Sequence, residues 1–163
     1  MDNVRFPEAK TLTVDKNTLR PFVDIHGVLK LCSLLGTPQR PMPGLRPKPI
    51  LLTAAHGTGK TLLVQHLAIE IGTLLKREVP LVVHDCSPDN TESKLRGSFD
   101  LTGAFLPGPL LVAIHLANLT GFSILQLDEL NALPEGTQKL LNAITDGRNG
   151  LYISSLARQF TLD

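Results

Sequence analysis

The sequence predicts an α/β fold with three layers, in which helices cover both faces of a parallel β-sheet. Three short apolar runs, at residues 50–53, 79–84 and 122–127, have the length of buried strands. Segments with helical spacing of apolar residues separate them, and strands that alternate with helices pair in parallel. The chain has 163 residues, of which 42% are hydrophobic and 19% charged, which suits one globular domain.

Composition and charge exclude several classes of protein. Sixteen basic and fifteen acidic residues leave a formal net charge of +1, so no overall field attracts nucleic acid or an anionic membrane. The N-terminal residues lack the apolar run of a signal peptide, and no apolar stretch has the length of a membrane span. The two cysteines, Cys32 and Cys86, show no metal-binding spacing. These features predict a cytoplasmic protein without a direct nucleic-acid or membrane partner.

Residues 1–49 are expected to precede the core as an arm or lead-in strand, a helix and a linker. Residues 1–20 are polar, and residues 21–35 carry apolar side chains at helical spacing. Prolines crowd positions 38–49 and exclude both a helix and a central strand there, because proline lacks the backbone N–H and restricts the residue before it. We therefore assign the core domain to residues 50–163.

Within the core, the first helix should cover residues 60–76 and bury one side. The apolar residues of that side are Leu63, Leu67, Ile71 and Leu74. Further helices are predicted at 109–118 and from 134 or 137 to 145, followed by short strands at 151–155 and 159–162.

The strongest local signal is ILLTAAHGTGKT at residues 50–61, a glycine-rich turn between a predicted strand and a predicted helix. Backbone N–H groups in such a turn converge on phosphate oxygens, and the helix N-terminus adds a positive dipole. Lys60 would neutralise the β- and γ-phosphates, and the Thr61 hydroxyl would hold Mg²⁺. This arrangement predicts the P-loop NTPase form of the α/β fold, with ATP and Mg²⁺ as ligands.

The residues expected to contact the nucleotide are His56, Gly57, Thr58, Gly59, Lys60, Thr61 and Leu62. The full pattern, G-x-x-x-x-G-K-[ST], has glycine where this chain has Ala54. Alanine resists positive φ. If Ala54 is held at such an angle, Ala54→Gly should bind nucleotide more tightly.

A second signal is the apolar strand that ends in Asp128 and Glu129. Asp128 is placed to bind Mg²⁺ opposite Thr61, since both belong at the same edge of a parallel sheet. Glu129 would activate the water that attacks the γ-phosphate, which makes Glu129 and Lys60 the predicted catalytic residues. The alternative is a pair of acids that caps the next turn.

With these motifs the chain resembles the AAA+ ATPases, in particular their dynein-related or MoxR-like branch, which includes the McrB-type NTPases. The resemblance covers residues 50–153 and rests on HGTGKT (56–61), LRGSF (95–99), GAFLPGPL (103–110), LDELNALP (127–134) and QKLLNAI (138–144). It implies an ATP-dependent remodelling module that works as a ring, usually a hexamer, with nucleotide between subunits.

The resemblance also implies elements that the sequence does not supply. Such ATPases continue with a polar sensor strand, an arginine finger and a helical lid, whereas only 34 residues follow Glu129. We expect a partial AAA+ domain that stops before the sensor strand. In one alternative, residues 151–155 form the sensor strand, which in this family lies between the phosphate-loop strand and the strand that ends in Asp128, and Ser154 or Ser155 is the sensor. In another, those two strands are direct neighbours in the sheet, as in kinases and GTPases.

Several polar residues have plainer alternatives. His84, Asp85 and Cys86 could suggest a thiol nucleophile, although a structural cluster at the strand end is favoured. Arg148 and Arg158 are candidate trans-acting arginines or solvated loop charges. For the whole chain, the alternative to Mg²⁺-dependent ATP hydrolysis is a non-catalytic nucleotide-binding or assembly module, or a fragment that binds nucleotide with little turnover.

Overall fold

A computed structural model describes residues 49–145 and 150–162, and before these residues 11, 12, 14, 17, 19, 20, 27, 29 and 30. The predicted helix at 21–35 lies almost wholly outside the described residues, as do most of the proline-rich linker and Arg148. The chain divides into two compact units. The first is Thr13–Val79, and the second joins Met1–Leu12 to Pro80–Asp163. The predicted domain boundary at residue 50 stays a prediction.

The α/β class is confirmed by four helices and seven short strands in the described residues. The helices are α1 (Lys60–Leu75), α2 (Glu92–Arg96), α3 (Pro109–Thr120) and α4 (Glu135–Thr145). The strands are β1 (Thr11–Leu12), β2 (Leu81–Asp85), β3 (Gly97–Phe99), β4 (Phe105–Pro107), β5 (Ile124–Asp128), β6 (Gly150–Ile153) and β7 (Arg158–Thr161). None of the described helices is long and apolar enough to span a membrane.

Helix α1 is the main element of the first unit, and its predicted extent is correct to within one residue. Its apolar positions recur every three or four residues, and Leu63, Leu67 and Ile71 are buried as expected. Leu74 is 56% exposed, so its assignment to the buried face was wrong. The helix ends at Lys76, which adopts the left-handed conformation (φ 54°) and donates its N–H to carbonyl oxygens of the last turn.

The predicted strand at 50–53 is not formed, and Leu51 is 74% exposed. A strand exists only where a second strand takes up its backbone hydrogen bonds, and no described strand pairs with these residues. The apolar run at residues 50–53 favours an extended backbone, but it does not specify the neighbouring strand that a β-strand needs.

The three-stranded sheet of the second unit has the order β1-β2-β5. β2 and β5 are parallel, in a register that pairs Leu81 with Ile124 and Asp85 with Asp128. β1 lies in the segment read as a lead-in strand or arm, and its antiparallel pairing with β2 was not predicted. The parallel pair confirms the two strands predicted around 79–84 and 122–127, each shifted by one or two residues.

Helix α3 packs on one face of this sheet through Val112 and Ala113, which contact Val82 and Leu125. It begins with Pro109 at its first position, where the missing N–H costs nothing, and ends at Gly121 in a left-handed conformation (φ 78°). The other side of the core joins α2, α3, α4 and β6 around one cluster. The cluster residues are Cys86, Leu95, Phe105, Leu110, Leu111, Ile114, Leu133, Leu140, Leu151 and Ile153.

Between α2 and α3 the chain forms a hairpin of β3 and β4, which the sequence did not predict. The rings of Phe99 and Phe105 pack in an edge-to-face arrangement, with their centroids 5.3 Å apart. The carboxylate of Asp100 organises the connection, accepting hydrogen bonds from the Thr102 hydroxyl at 2.6 Å and the Thr102 N–H at 2.8 Å. It also accepts from the Ala104 N–H at 3.0 Å.

A second hairpin pairs β6 with β7, as predicted. β6 and β7 form a sheet of their own, separate from the three-stranded sheet, so the reading in which residues 151–155 provide the sensor strand is wrong. Ser154 and Ser155 lie in the exposed 3₁₀ turn between the strands. Arg158 lies over the ring of Phe160, 5.1 Å from its centroid, so it has a local packing role.

Candidate functional site

The phosphate loop, residues 54–61, has two glycines in the left-handed region, Gly57 at φ 77° and Gly59 at φ 88°. A Cβ placed on either would meet no atom within 4 Å, so the backbone angle, and not crowding, requires glycine there. Gly59 is the N-cap of α1, and its carbonyl accepts the N–H of Leu63 at 2.8 Å. The loop therefore passes directly into the first turn of the helix.

Lys60 closes the loop on itself. Its Nζ donates to the carbonyl oxygens of Ala54 and Ala55, each at 2.9 Å. The Thr58 hydroxyl donates to the same Ala55 oxygen, also at 2.9 Å. These three bonds hold the loop in a compact turn, with the ammonium group at its centre.

The start of α1 is electropositive. Its first turn contains no acidic residue, and no Asp or Glu occurs between positions 49 and 69. The unpaired N–H groups of a helix start and its dipole add to the charge of Lys60. His56, Gly57, Thr58 and Thr61 are exposed, and Leu62 is partly buried. An anion is the ligand that this charge distribution favours.

Ala54 does not have the strained angle on which the sequence hypothesis depended. Among the non-glycine residues that the structure describes, positive φ occurs only at Lys76, Glu129 and Ala157. The alanine therefore occupies its position without backbone strain, and a gain in affinity from Ala54→Gly is no longer expected.

Asp128 is the last residue of β5, at the carboxyl end of the parallel pair, beside Asp85 of β2. Its backbone carbonyl accepts the N–H of Cys86 at 2.9 Å, which continues the ladder beyond the strand end. Its side chain is bound by Gln126, whose Nε2 lies 2.9 Å from both Oδ1 and Oδ2. Gln126 is not among the residues predicted from the sequence. The available signal was an amide within an apolar strand, two residues before the acid and so on the same face.

Glu129 adopts a left-handed conformation, φ 53° and ψ 42°, which is uncommon for a residue with a long side chain. A 3₁₀ turn over Leu130–Ala132 follows, and the Ala132 N–H donates to the Glu129 carbonyl at 2.7 Å. The Glu129 side chain is exposed and makes no capping hydrogen bond. The capping alternative is therefore not supported for Glu129.

Cys86 does not have the properties of a nucleophile. It is 4% exposed, and burial raises the pKa of its thiol, with the negative charges of Asp128 and Asp85 adding to the effect. A catalytic cysteine requires a lowered pKa. The burial and the raised pKa of Cys86 therefore argue against the thiol-nucleophile reading.

The predicted site residues form two groups. His56, Gly57, Thr58, Gly59, Lys60, Thr61 and Leu62 are contiguous in the first unit, and Asp128 and Glu129 close β5 in the second. Within the described residues, no three His, Cys, Asp or Glu side chains form a group that could hold a metal ion.

The motifs LRGSF (95–99) and GAFLPGPL (103–110) contribute to the core of the second unit. Gly108 is the N-cap of α3, where a Cβ would overlap the carbonyl oxygen of Leu95. Gly97 has φ 125° and faces the ring of the buried Phe105. These motifs therefore require glycine because α2, the β3–β4 hairpin and α3 approach one another closely.

The comparison with known families agrees with this geometry. The profile of the AAA domain (dynein-related subfamily) matches residues 49–156, which include the phosphate loop, both glycine contacts and the acids that end β5. Among curated proteins, no match was found. The match covers most of the chain and confirms the AAA+ resemblance and its P-loop NTPase fold, without specifying the MoxR-like or McrB-like branch. The protein therefore belongs to the dynein-related subfamily of AAA domains.

Proposed function

We propose that the protein binds ATP with Mg²⁺ and hydrolyses it, as a remodelling module that acts within a ring of subunits. Family membership supports an ATP-binding function of the ATPase type. The observation that carries the proposal is the phosphate loop, where Lys60 lies at the start of a helix whose first turn has no acidic residue.

In this proposal the phosphates lie against the loop between His56 and Leu62. Backbone N–H groups and the α1 dipole bind their oxygens, while Lys60 turns from the carbonyls of Ala54 and Ala55 to the β- and γ-phosphates. Gly57 and Gly59 fit this role because the left-handed backbone can direct successive N–H groups to one point.

Mg²⁺ would be held by the hydroxyl of Thr61 and, directly or through water, by the carboxylate of Asp128. The exposed Thr61 hydroxyl and the carboxylate at the strand end are the hard oxygen ligands that Mg²⁺ prefers. When bound, the ion would neutralise phosphate charge.

Glu129 would act as the general base that orients and deprotonates water. Its side chain is exposed directly after the end of β5, and its backbone is left-handed. A strained backbone at a catalytic position is a common way to hold a side chain in one direction.

Binding is tested with a fluorescent ATP analogue. We expect Lys60→Ala to weaken binding by about 10- to 100-fold, because a charge-assisted contact is lost. Lys139→Ala is the matched control, since Lys139 in the described part of the chain forms an exposed pair with Glu135 at 3.3 Å. Binding that survives Lys60→Ala unchanged would exclude the proposal.

Hydrolysis is tested separately by phosphate release. Glu129→Gln should retain binding and lower turnover by about 10²- to 10⁴-fold. Glu135→Gln, at an exposed glutamate of α4, should retain both. Binding without turnover in the unchanged protein would instead support the non-catalytic nucleotide-binding module.

A further inference from the structure

Gln126 presents an arrangement that the proposed ATP chemistry does not use. Its side-chain amide donates to both oxygens of the Asp128 carboxylate, and the residue is 7% exposed. Its other polar atom, Oε1, is buried and has no partner in the described part of the chain. Buried amides normally form hydrogen bonds through both the oxygen and the nitrogen, whereas the Gln126 amide does so through its nitrogen, to Asp128.

The spacing in the strand makes the contact possible. Residues two apart in a strand lie on one face, about 6.6 Å apart along it. The glutamine side chain spans that distance and reaches the carboxylate from within β5. An ionised carboxylate offers only acceptors, so the nitrogen end of the amide must face it.

The geometry of the contact determines which lone pairs remain. Nε2 lies at the same distance, 2.9 Å, from both oxygens, which is the position a chelating cation would occupy. A carboxylate has about four lone-pair sites, and the amide uses the inner two. A cation is then restricted to the outer lone pairs, and chelation through both oxygens requires that the amide leave.

We propose that Gln126 is a positioning residue that fixes the Asp128 carboxylate so that it meets a divalent cation through one oxygen or through water. The inference rests on the proposed function. Mg²⁺ is small, demands near-octahedral geometry and keeps its waters, whereas Ca²⁺ accepts chelating carboxylates. Gln126 therefore favours Mg²⁺ over Ca²⁺.

The experiment measures binding of the fluorescent ATP analogue to the full chain in Mg²⁺, in Ca²⁺ and in EDTA. For Gln126→Leu we expect unchanged binding in EDTA, a gain from Mg²⁺ that is about 10-fold smaller, and a shift of preference toward Ca²⁺. Gln126→Asn, too short to bridge to Asp128, should behave in the same way and serves if the leucine variant does not fold.

Gln138→Leu is the matched control, since Gln138 also donates one side-chain hydrogen bond, to the Leu133 carbonyl at 2.8 Å. It should retain the metal response of the unchanged protein. A Gln126 variant that binds nucleotide with an unaltered Mg²⁺ gain and Ca²⁺ preference would overturn this inference alone. Absence of nucleotide binding by the unchanged protein would overturn the proposed function, and this inference with it.

Discussion

The ring of Phe105 occupies the space that a side chain at Gly97 would need. A Cβ built on Gly97 would lie 2.6 Å from the Cζ of Phe105, and the φ of 125° is itself unfavourable for any other residue. Phe105 is 1% exposed and belongs to the core cluster of the second unit. The hairpin is thus fitted to the core through one glycine and one aromatic ring.

Gly97→Ala should therefore lower the free energy of unfolding by about 3 kcal/mol, from backbone strain and overpacking together. Urea unfolding followed by circular dichroism measures the effect. Gly136→Ala is the control, because its Cβ would meet nothing within 4 Å and the helix favours alanine by up to about 1 kcal/mol. Equal stability of the two variants would contradict the packing described for Gly97.

Ala54→Gly should leave nucleotide affinity unchanged or slightly weaker. Ala54 has no positive φ to relieve, and glycine adds freedom to the unfolded chain, at a cost of about 0.5–1 kcal/mol. The analogue titration and a thermal melt together test this. Tighter binding by the glycine variant would show that the loop is strained in a way its backbone angles do not reveal.

Asp100 should titrate below the ordinary aspartate range. The Thr102 hydroxyl, followed by the Ala104 N–H, favours its charged form and lowers its pKa. Because the folded-state pKa is the lower one, the stabilisation is present above the ordinary pKa of aspartate and is lost as pH falls through the folded-state value. NMR titration of the carboxyl group measures this directly.

Thr102→Val should move the Asp100 titration toward the ordinary value, since it removes the 2.6 Å hydroxyl bond. Thr161→Val, in exposed β7, should leave it unmoved. An Asp100 midpoint that does not respond to Thr102→Val would contradict the assigned cause.

The Cys86 thiol should resist alkylation in the folded protein at pH 8 and react after denaturation. It is buried, and its pKa is raised by that burial and by the charges of Asp128 and Asp85. A folded-state pKa above the unfolded one means that the stability contribution is complete below about pH 8.5 and is lost as pH rises further. Peptide mass spectrometry after iodoacetamide treatment measures the protection. Equal labelling of the folded and denatured protein would contradict it.

The elements predictable from the sequence are those that local pattern determines. Helix α1 begins where the glycines end, and β2 and β5 follow from apolar runs of strand length. The run at 50–53 is equally apolar and has the length of a strand. It forms no strand, because a strand depends on a pairing partner that local residues do not specify. The hairpin at Gly97 was missed because its strands have three residues each and depend on a contact with Phe105.

The candidate site shows the same limit. Lys60, Thr61, Asp128 and Glu129 could be proposed from the sequence because phosphate and metal chemistry restricts both residue type and spacing. The Gln126 contact with Asp128 could not be identified in this way, because a glutamine in a strand can form hydrogen bonds with many different partners. The folded structure is needed to show that its partner is Asp128.

The ammonium group of Lys60 already has two hydrogen-bond partners within the chain, the carbonyl oxygens of Ala54 and Ala55. Any incoming anion must compete with bonds that the chain already makes to itself, so its affinity is a difference between two bonded arrangements. Chloride offers a single acceptor atom in exchange for two carbonyl bonds, so we expect it to bind weakly. In the proposed function a triphosphate offers charged oxygens to the lysine, the helix start and the glycine turn at once, so we expect it to compete best with the bonds within the loop.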